Sequence, residues 1–207
     1  MILDFINSVG RFIEYQLVGQ ADFRITLPNT KVRTVETDLE GKLQLESVRI
    51  ELRKEFALEV KWPILLEVKK PPPLGWKAGF YHSEGNLGRY QAKSLGAHQG
   101  HHVTVRPGLQ VAMFRAILAH ELVHAAQTEA ELLTANQALR EGMARWVEYH
   151  FLKTDCPEQA ERLRKIRHYT FGKAVKTILE YEERHGRPKT LRWLREVEQP
   201  LSQQGAG

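Results

Sequence analysis

An H-E-x-x-H motif interrupts the apolar run Ala116-Ile117-Leu118-Ala119-His120-Glu121-Leu122-Val123-His124-Ala125-Ala126. On a helix, two residues four positions apart lie on one face, about one turn from each other. His120 and His124 could therefore bind one zinc ion from a single rigid element. Glu121 lies beside the pair, where it could hold and deprotonate a metal-bound water. We therefore predict that one helix carries both histidines of a single zinc site.

The residues around the motif predict that this helix is buried. Apolar side chains recur at three- and four-residue spacing, and no Gly or Pro occurs between Leu109 and Ala130. The apolar positions are Met113, Phe114, Ile117, Leu118, Leu122, Val123 and Ala126. The alternative is a solvated helix with two surface histidines, and the apolar surroundings argue against it.

A zinc site of this kind needs a third protein ligand and leaves one position open for water. Glu141 is the candidate, because it lies 17 positions after His124 (141 − 124), enough for the chain to turn and return as an antiparallel helix. Amphipathic spacing predicts that helix at Leu139, Met143, Trp146, Val147 and His150. Gly142 removes a side chain where two helices approach closely. The alternative for Glu141 is a solvated helix glutamate.

Composition bounds the other possibilities. A chain of 207 residues with 42% hydrophobic and 27% charged residues is typical of one globular domain with a proper core. Cys156 is the single cysteine, so an intrachain disulfide and a thiolate metal site are excluded.

The sequence also bears on localisation and partners. It has neither an apolar run near 18 residues nor a signal-peptide pattern, so we expect a cytoplasmic protein with no membrane partner. The charge of +5 is spread along the chain, so a nucleic acid partner is only weakly indicated.

The N-terminal residues carry a helical stripe at 2–17, which predicts a packing helix or a mobile amphipathic arm that covers the cleft. With a short strand at 22–27, it forms a predicted N-terminal extension, residues 1–46. A latent protein whose residues 1 to about 35 occlude the cleft is a further hypothesis. Between residues 37 and 56 helix and strand patterns overlap, and we favour a helix over the second half, capped at Ser47.

Three or four strands followed by helices predict an α+β fold over residues 47–200, with a polar tail at 201–207. Strands are predicted at 64–69 and 101–106, and a hairpin at 80–91 with its turn at 83–88. Three C-terminal helices are predicted at about 158–167, 170–183 and 190–198.

Two features before the motif helix leave alternatives open. The strand at 101–106 is either an edge along which an extended peptide binds or an ordinary sheet strand. His98, His101 and His102 cluster in a Gly-containing loop. A second metal site is one interpretation, and a solvated loop is the favoured one, because Gly96 and Gly100 give no rigid geometry.

The motif run 117–125 and Glu141-Gly142 together resemble the gluzincin metallopeptidases, zincins whose third ligand is a glutamate on the following helix. They are most similar to the minimal single-domain gluzincins, or minigluzincins, which include the peptidase domain of the plant ubiquitin-activated LIM peptidases. Residues 56–68 resemble the start of that domain's first strand, and 169–175, 185–186 and 190–194 resemble its C-terminal helices. The sequence has no LIM-like Cys/His array, so ubiquitin coupling is not carried over.

The resemblance implies a minimal zincin fold, with a small mixed sheet packed on the active-site helix, then a ligand-glutamate helix and C-terminal helices. It implies one Zn²⁺ per chain, bound by His120, His124 and Glu141, with Glu121 as the general base. Ala125 and Ala126 would let the two ligand helices close around the ion.

The resemblance also implies an electrophilic donor near the scissile carbonyl oxygen, with Tyr169 the first candidate, His168 the second and Tyr149 the third. Larger gluzincins place an acidic residue four positions after the ligand glutamate, where it orients a ligand histidine. Here that position is Arg145. The candidates to replace it are Glu148 and Asn136.

The function expected from this resemblance is that of a zinc metallopeptidase, more specifically an endopeptidase, which hydrolyses peptides or unfolded proteins. Zinc would lower the pKa of its bound water towards about 7, and Glu121 would take the water proton. The alternative, motivated by Arg145, is a zinc-stabilised latent or non-catalytic module that binds peptides or proteins. A basic helical nucleic-acid binder with an accidental motif is a third interpretation. The sequence leaves the substrate and the oligomeric state open.

Overall fold

The structure is a computed structural model that describes residues 13–16, 33–70, 86–95, 98–130, 137–165 and 171–198. The strands are β1 (Ile13–Gln16), β2 (Thr34–Val35), β3 (Ile64–Val68), β4 (Asn86–Leu95), β5 (His98–Val105) and β6 (Leu109–Gln110). The helices are α1 (Asp38–Phe56), α2 (Val111–Glu129), α3 (Gln137–Asp155), α4 (Pro157–Arg164), α5 (Phe171–His185) and α6 (Arg187–Glu198). This mixture of helix and small sheets is compatible with the predicted α+β class.

The larger sheet is mixed and has the strand order β1-β4-β5-β3. β4 is antiparallel to both β1 and β5, whereas β3 runs parallel to β5. β2 and β6 form a separate antiparallel pair. The motif helix α2 packs against β4 and β5 and also contacts α1 and α3. The sheet and two helices thus enclose the motif helix from several sides.

Helix α2 is buried along most of its length. From Met113 to Gln127 every residue except Arg115 is buried. A helix that is apolar all round needs neighbours on every side, and full burial of each Leu, Ile or Phe side chain contributes about 1.5–3 kcal/mol. The predicted buried helix is confirmed, and the solvated alternative is wrong.

Helix α1 is longer than predicted, because it begins after Thr37 rather than at Ser47. The Thr37 hydroxyl accepts the backbone N–H of Glu40 at 3.3 Å, while the Glu40 carboxylate accepts the backbone N–H of Thr37 at 3.1 Å. This reciprocal pair is a capping box, which fixes the start of a helix. The strand-like alternation near Leu43 was misleading, because Leu43 is an exposed residue of α1. The proposed boundary between residues 46 and 47 lies inside α1.

Residues 13–16 form the strand β1 instead of the predicted helix. The β4 residues that pair with them lie 70 to 77 positions further along the chain (86 − 16 and 90 − 13), so local periodicity carries no sign of the pairing. The other residues of the predicted extension before α1, at 1–12 and 17–32, lie outside the described residues, as does the tail at 201–207.

The predicted hairpin turn at 83–88 is wrong in its second half, because residues 86–88 belong to β4. Residues 80–85 of the predicted hairpin lie outside the described residues, and β4 pairs with the following strand β5 as an antiparallel hairpin. The three predicted C-terminal helices are confirmed as α4, α5 and α6. Gly186 separates the last two with a φ of 78°, a left-handed conformation that favours glycine. In the described part of the chain, none of the helices combines the length and apolar character needed to cross a bilayer.

Candidate metal centre

The two motif histidines meet on the buried face of α2. His120 and His124 are one turn apart, and their Nε2 atoms lie 3.2 Å from each other. Both side chains are fully buried. The helix alone sets this geometry, because residues four positions apart project from the same face.

Helix α3 supplies the third group. Glu141 Oε1 lies 3.5 Å from His124 Nε2, and Glu141 Oε2 lies 3.8 Å from His120 Nε2. Among the described residues, His120, His124 and Glu141 form a buried group that could bind a metal ion, with one ligand atom from each within 4.8 Å of the others. We call these three residues the metal centre. The solvated alternative for Glu141 is wrong, because this residue is 5% exposed.

Two further side chains orient the imidazoles. His120 Nδ1 lies 3.1 Å from Glu148 Oε2, and His124 Nδ1 lies 3.0 Å from Gln127 Oε1. The Gln127 amide nitrogen donates to the Arg140 carbonyl, which leaves its oxygen to accept. Both Nδ1 atoms therefore donate, and both Nε2 atoms keep a lone pair for a metal. Glu148, one of the two sequence candidates, fills the orienting role left open by Arg145.

Burial sets the charge of each group. It lowers the pKa of His120 well below the usual value, and nearby Arg145 lowers it further. For His124, burial is again the largest cause of a strongly lowered pKa, followed by the neighbouring His120. Burial raises the pKa of Glu141 to about 7, against the effect of Arg145 and Arg140. The histidines are thus neutral at pH 7, as metal ligands must be, and a bound cation would favour ionised Glu141.

Zinc fits this set of donors. Tetrahedral zinc holds nitrogen and oxygen ligands at about 2.0–2.2 Å, which places two ligand atoms roughly 3.3–3.6 Å apart. In the metal centre the two Nε2 atoms are 3.2 Å apart, one Glu141 oxygen lies 3.5 Å from His124 Nε2, and the other Glu141 oxygen lies 3.8 Å from His120 Nε2. Two converging imidazole lone pairs repel each other unless something lies between them, so a cation is the natural complement of this arrangement.

Glu121 lies next to the centre and faces strand β4. A Cβ atom added to Gly88 would lie 2.7 Å from Glu121 Oε1 and 2.5 Å from Ile117 Cγ2. Only a residue without a side chain lets the backbone of β4 come this close to α2. The Glu121 carboxylate is therefore held between the motif helix, which carries it, and the backbone of β4.

The sheet adds a polar cluster that the sequence did not reveal. The Tyr90 hydroxyl lies 3.1 Å from His101 Nδ1, and His101 Nε2 lies 2.9 Å from Glu129 Oε1. The Tyr90 ring lies 6.4 Å from the His124 ring, centre to centre. Burial is the main reason why the pKa of Tyr90 rises to about 12. Tyr90 thus links this cluster to His124 of the metal centre.

Other predicted positions have different outcomes. The interpretation of His101 and His102 as loop residues is wrong, because both are buried on β5. Gly142 does permit a close helix approach, but to α5 rather than α2, because an added Cβ would lie 2.7 Å from Ala174 Cβ. Tyr149 contacts His150 edge-on at 5.4 Å between ring centres.

Tyr169, His168 and Asn136 lie outside the described residues. The structure therefore places neither of the two leading candidates for the electrophilic donor. Gln127 was missed although its spacing, three residues after His124 on one helix face, could have indicated it. Tyr90 had no comparable signal, because its position depends on the pairing of the strands.

Comparison of the chain with protein-family models, curated proteins and solved structures finds no match to any of them. The metal centre therefore rests on its own geometry.

Proposed function

We propose that the protein is a zinc-dependent metallopeptidase, a hydrolase with a zincin-like arrangement of the gluzincin type. The observation that carries the proposal is the convergence of His120, His124 and Glu141 on one point, with both imidazole lone pairs directed inward. The adjacent Glu121 supplies the further carboxylate that amide hydrolysis needs. Peptides or unfolded protein segments are the proposed substrates.

Each residue has a defined task in this proposal. His120, His124 and Glu141 hold one Zn²⁺ ion, and Glu148 and Gln127 fix the imidazole tautomers through Nδ1. When bound, zinc supplies a Lewis acid that lowers the pKa of water and polarises a carbonyl. Glu121 takes a proton from the attacking water on a carboxylate oxygen and passes it to the leaving amine.

The surroundings exclude bulk water from this chemistry. The motif histidines and Glu121 are fully buried, which strengthens electrostatic interactions with developing charge. Because Glu148 orients His120, the presence of Arg145 four positions after Glu141 no longer favours a non-catalytic module. That alternative is decided by experiment.

The test is cleavage of a quenched mixed-peptide library by zinc-loaded protein, with Glu121→Gln measured in parallel. Loss of a general base lowers the rate by about 10²–10⁴-fold, and we expect a loss in this range with zinc still bound. The matched control is Glu180→Gln, the same substitution at a partly exposed glutamate on α5, and its rate should be unchanged.

Two outcomes would contradict the proposal. Unchanged cleavage by Glu121→Gln would remove Glu121 from the mechanism. Absence of cleavage by the parent protein, with one zinc bound per chain, would favour the zinc-stabilised latent or non-catalytic module.

A further inference from the structure

The N-terminal strand β1 occupies the sheet edge beside the metal centre. β1 pairs antiparallel with β4, and the paired residues are Ile13 with Tyr90, Glu14 with Arg89, and Gln16 with Asn86. On its other side β4 pairs with β5. Apart from β1, none of the described strands uses the outer edge of β4.

This pairing lies directly alongside Glu121. Gly88 is the point at which β4 touches the Glu121 carboxylate, and it lies between the paired positions Asn86 and Arg89. The β1 residues that span the same interval are Glu14 to Gln16. Neighbouring strands lie about 4.8 Å apart, so the β1 backbone runs one strand spacing from the part of β4 that covers the site.

The β1–β4 contact has features of a displaceable pairing. The strand is four residues long, and its register shifts between Glu14 and Gln16, which indicates a bulge or irregularity. A bulge leaves one residue outside the hydrogen-bond ladder, and a strand this short makes few ladder bonds. The irregularity lies opposite the Gly88 region, where the sheet meets the metal centre.

We infer that β1 is an autoinhibitory strand, which must leave the edge of β4 before an extended peptide can reach Glu121 along it. The inference rests on the proposed function for its biological meaning. An extended peptide would use the same backbone N–H and C=O groups of β4 that β1 now uses, so the two exclude each other. The N-terminal segment thus regulates access by competition for backbone hydrogen bonds.

The test locks β1 in place in the full-length protein with the pair Gln16→Cys and Asn86→Cys, in a Cys156→Ser background. Directly opposed residues of antiparallel strands have Cα atoms about 4.5–5.5 Å apart, within the range of a disulfide. The zinc-loaded protein is compared oxidised and reduced with the quenched peptide library. We expect the oxidised form to cleave at least about tenfold more slowly, because its binding-competent fraction is suppressed.

A second readout does not depend on catalysis. The same lock is placed in a Glu121→Gln background, and binding of the fluorescein-labelled peptide library is measured by fluorescence anisotropy. Binding should weaken on oxidation and recover on reduction. The single-cysteine variants are the controls and should show no redox response.

A third variant opens the edge instead. Glu14→Pro removes a backbone donor from β1 and disfavours its pairing with β4, so peptide binding and cleavage should rise. Equal binding and equal cleavage in the oxidised and reduced proteins would overturn the inference and leave the proposed function intact. Absence of cleavage in every form would reject the peptidase proposal, and the binding comparison would then decide the role of β1 alone.

Discussion

Helix α3 contributes to two histidine–glutamate groups, one buried and one partly buried, whose hydrogen bonds are arranged in opposite ways. In the metal centre, His120 and His124 direct their Nε2 lone pairs at each other, with Glu141 beside them. The second group, which we call the His150 cluster, consists of His150, Trp146, Glu182 and Arg187. It lies where α3 meets α5 and the start of α6.

Within the His150 cluster, both ring nitrogens of His150 and both carboxylate oxygens of Glu182 have hydrogen-bond partners. His150 Nε2 lies 2.7 Å from Glu182 Oε2, and His150 Nδ1 accepts from Arg187 Nη2 at 2.9 Å. Glu182 also accepts from Trp146 Nε1 at 2.8 Å and from Arg187 Nε at 3.1 Å. A network completed in this way stabilises the packing of helices and leaves no lone pairs converging on a metal position.

The two glutamates show the consequence for acidity. Burial raises the pKa of Glu141 to about 7. Burial acts in the same direction on Glu182, but hydrogen bonds from His150 and Trp146 outweigh it and lower its pKa to about 2. A carboxylate that has its cations and donors built in is structural, whereas one with a raised pKa beside neutral imidazoles is suited to bind an added cation.

The largest expected effect comes from replacing one glutamate by glutamine in each of the two groups. Glu141→Gln should weaken zinc binding by more than the 10- to 100-fold that loss of an outer partner costs, because it removes a direct ligand charge. Glu182→Gln should leave zinc affinity unchanged and lower the free energy of unfolding by about 2 kcal/mol, because charge-assisted hydrogen bonds are lost. Zinc titration and chemical denaturation distinguish the two. Equal zinc affinity in both variants would contradict the assignment of Glu141 to metal binding and of Glu182 to structure.

The next effect concerns the partner that orients His120. Glu148→Leu should weaken zinc binding by about 10- to 100-fold, because Nδ1 loses its acceptor and the tautomer is no longer fixed. Glu148→Gln should recover much of the affinity, since an amide oxygen can still accept from Nδ1. Competition with a chromophoric chelator measures both variants. Equal losses would show that the charge of Glu148 matters rather than its hydrogen bond.

A smaller effect follows from the raised pKa of Glu141. Below its pKa of about 7 the carboxyl group of the metal-free protein is protonated, and zinc must displace that proton. Affinity should therefore fall about tenfold for each pH unit below about 7 and level off above it. Titration between pH 5.5 and 8, corrected for chelator protonation, gives the slope. A flat profile across pH 7 would show that Glu141 binds no proton there.

The smallest effect tests the close contact between sheet and site. Gly88→Ala forces β4 away from Ile117 and Glu121 and should cost about 1–3 kcal/mol of unfolding free energy, as overpacking does. Gly142→Ala is the matched control, because its new methyl group meets Ala174 on α5 instead. At temperatures where both variants are folded, only Gly88→Ala should reduce cleavage. A similar reduction in both would point to stability alone.

Local periodicity predicted some elements well and failed where pairing decides the structure. The buried helix α2 was predictable because its apolar residues repeat over several turns, and the C-terminal helices because turn residues separate them. β1 was mistaken for a helix, since four residues contain too little pattern and their partner β4 is distant in sequence. The start of α1 was misplaced because Thr37 and Glu40 were not recognised as a capping box.

The residues of the metal centre also differ in how far local sequence patterns could predict them. His120, Glu121 and His124 follow from the sequence alone, because one helix fixes their spacing whatever surrounds it. Glu141 required the spacing of two helices and was still within reach of the sequence. Gln127 was in reach as well, three residues after His124 on the same helix.

What the sequence by itself determined is the motif His120, Glu121 and His124 and the buried helix that carries it, since both depend on spacing within one helix. Glu141 could be named as a candidate from the spacing of two predicted helices. Only the tertiary structure decided that Glu148 orients His120, that Gly88 brings β4 onto Glu121 and that β1 lies on the adjacent edge. These contacts join elements far apart in the chain. Their geometry is set by how sheet and helices pack around α2, which no local pattern encodes.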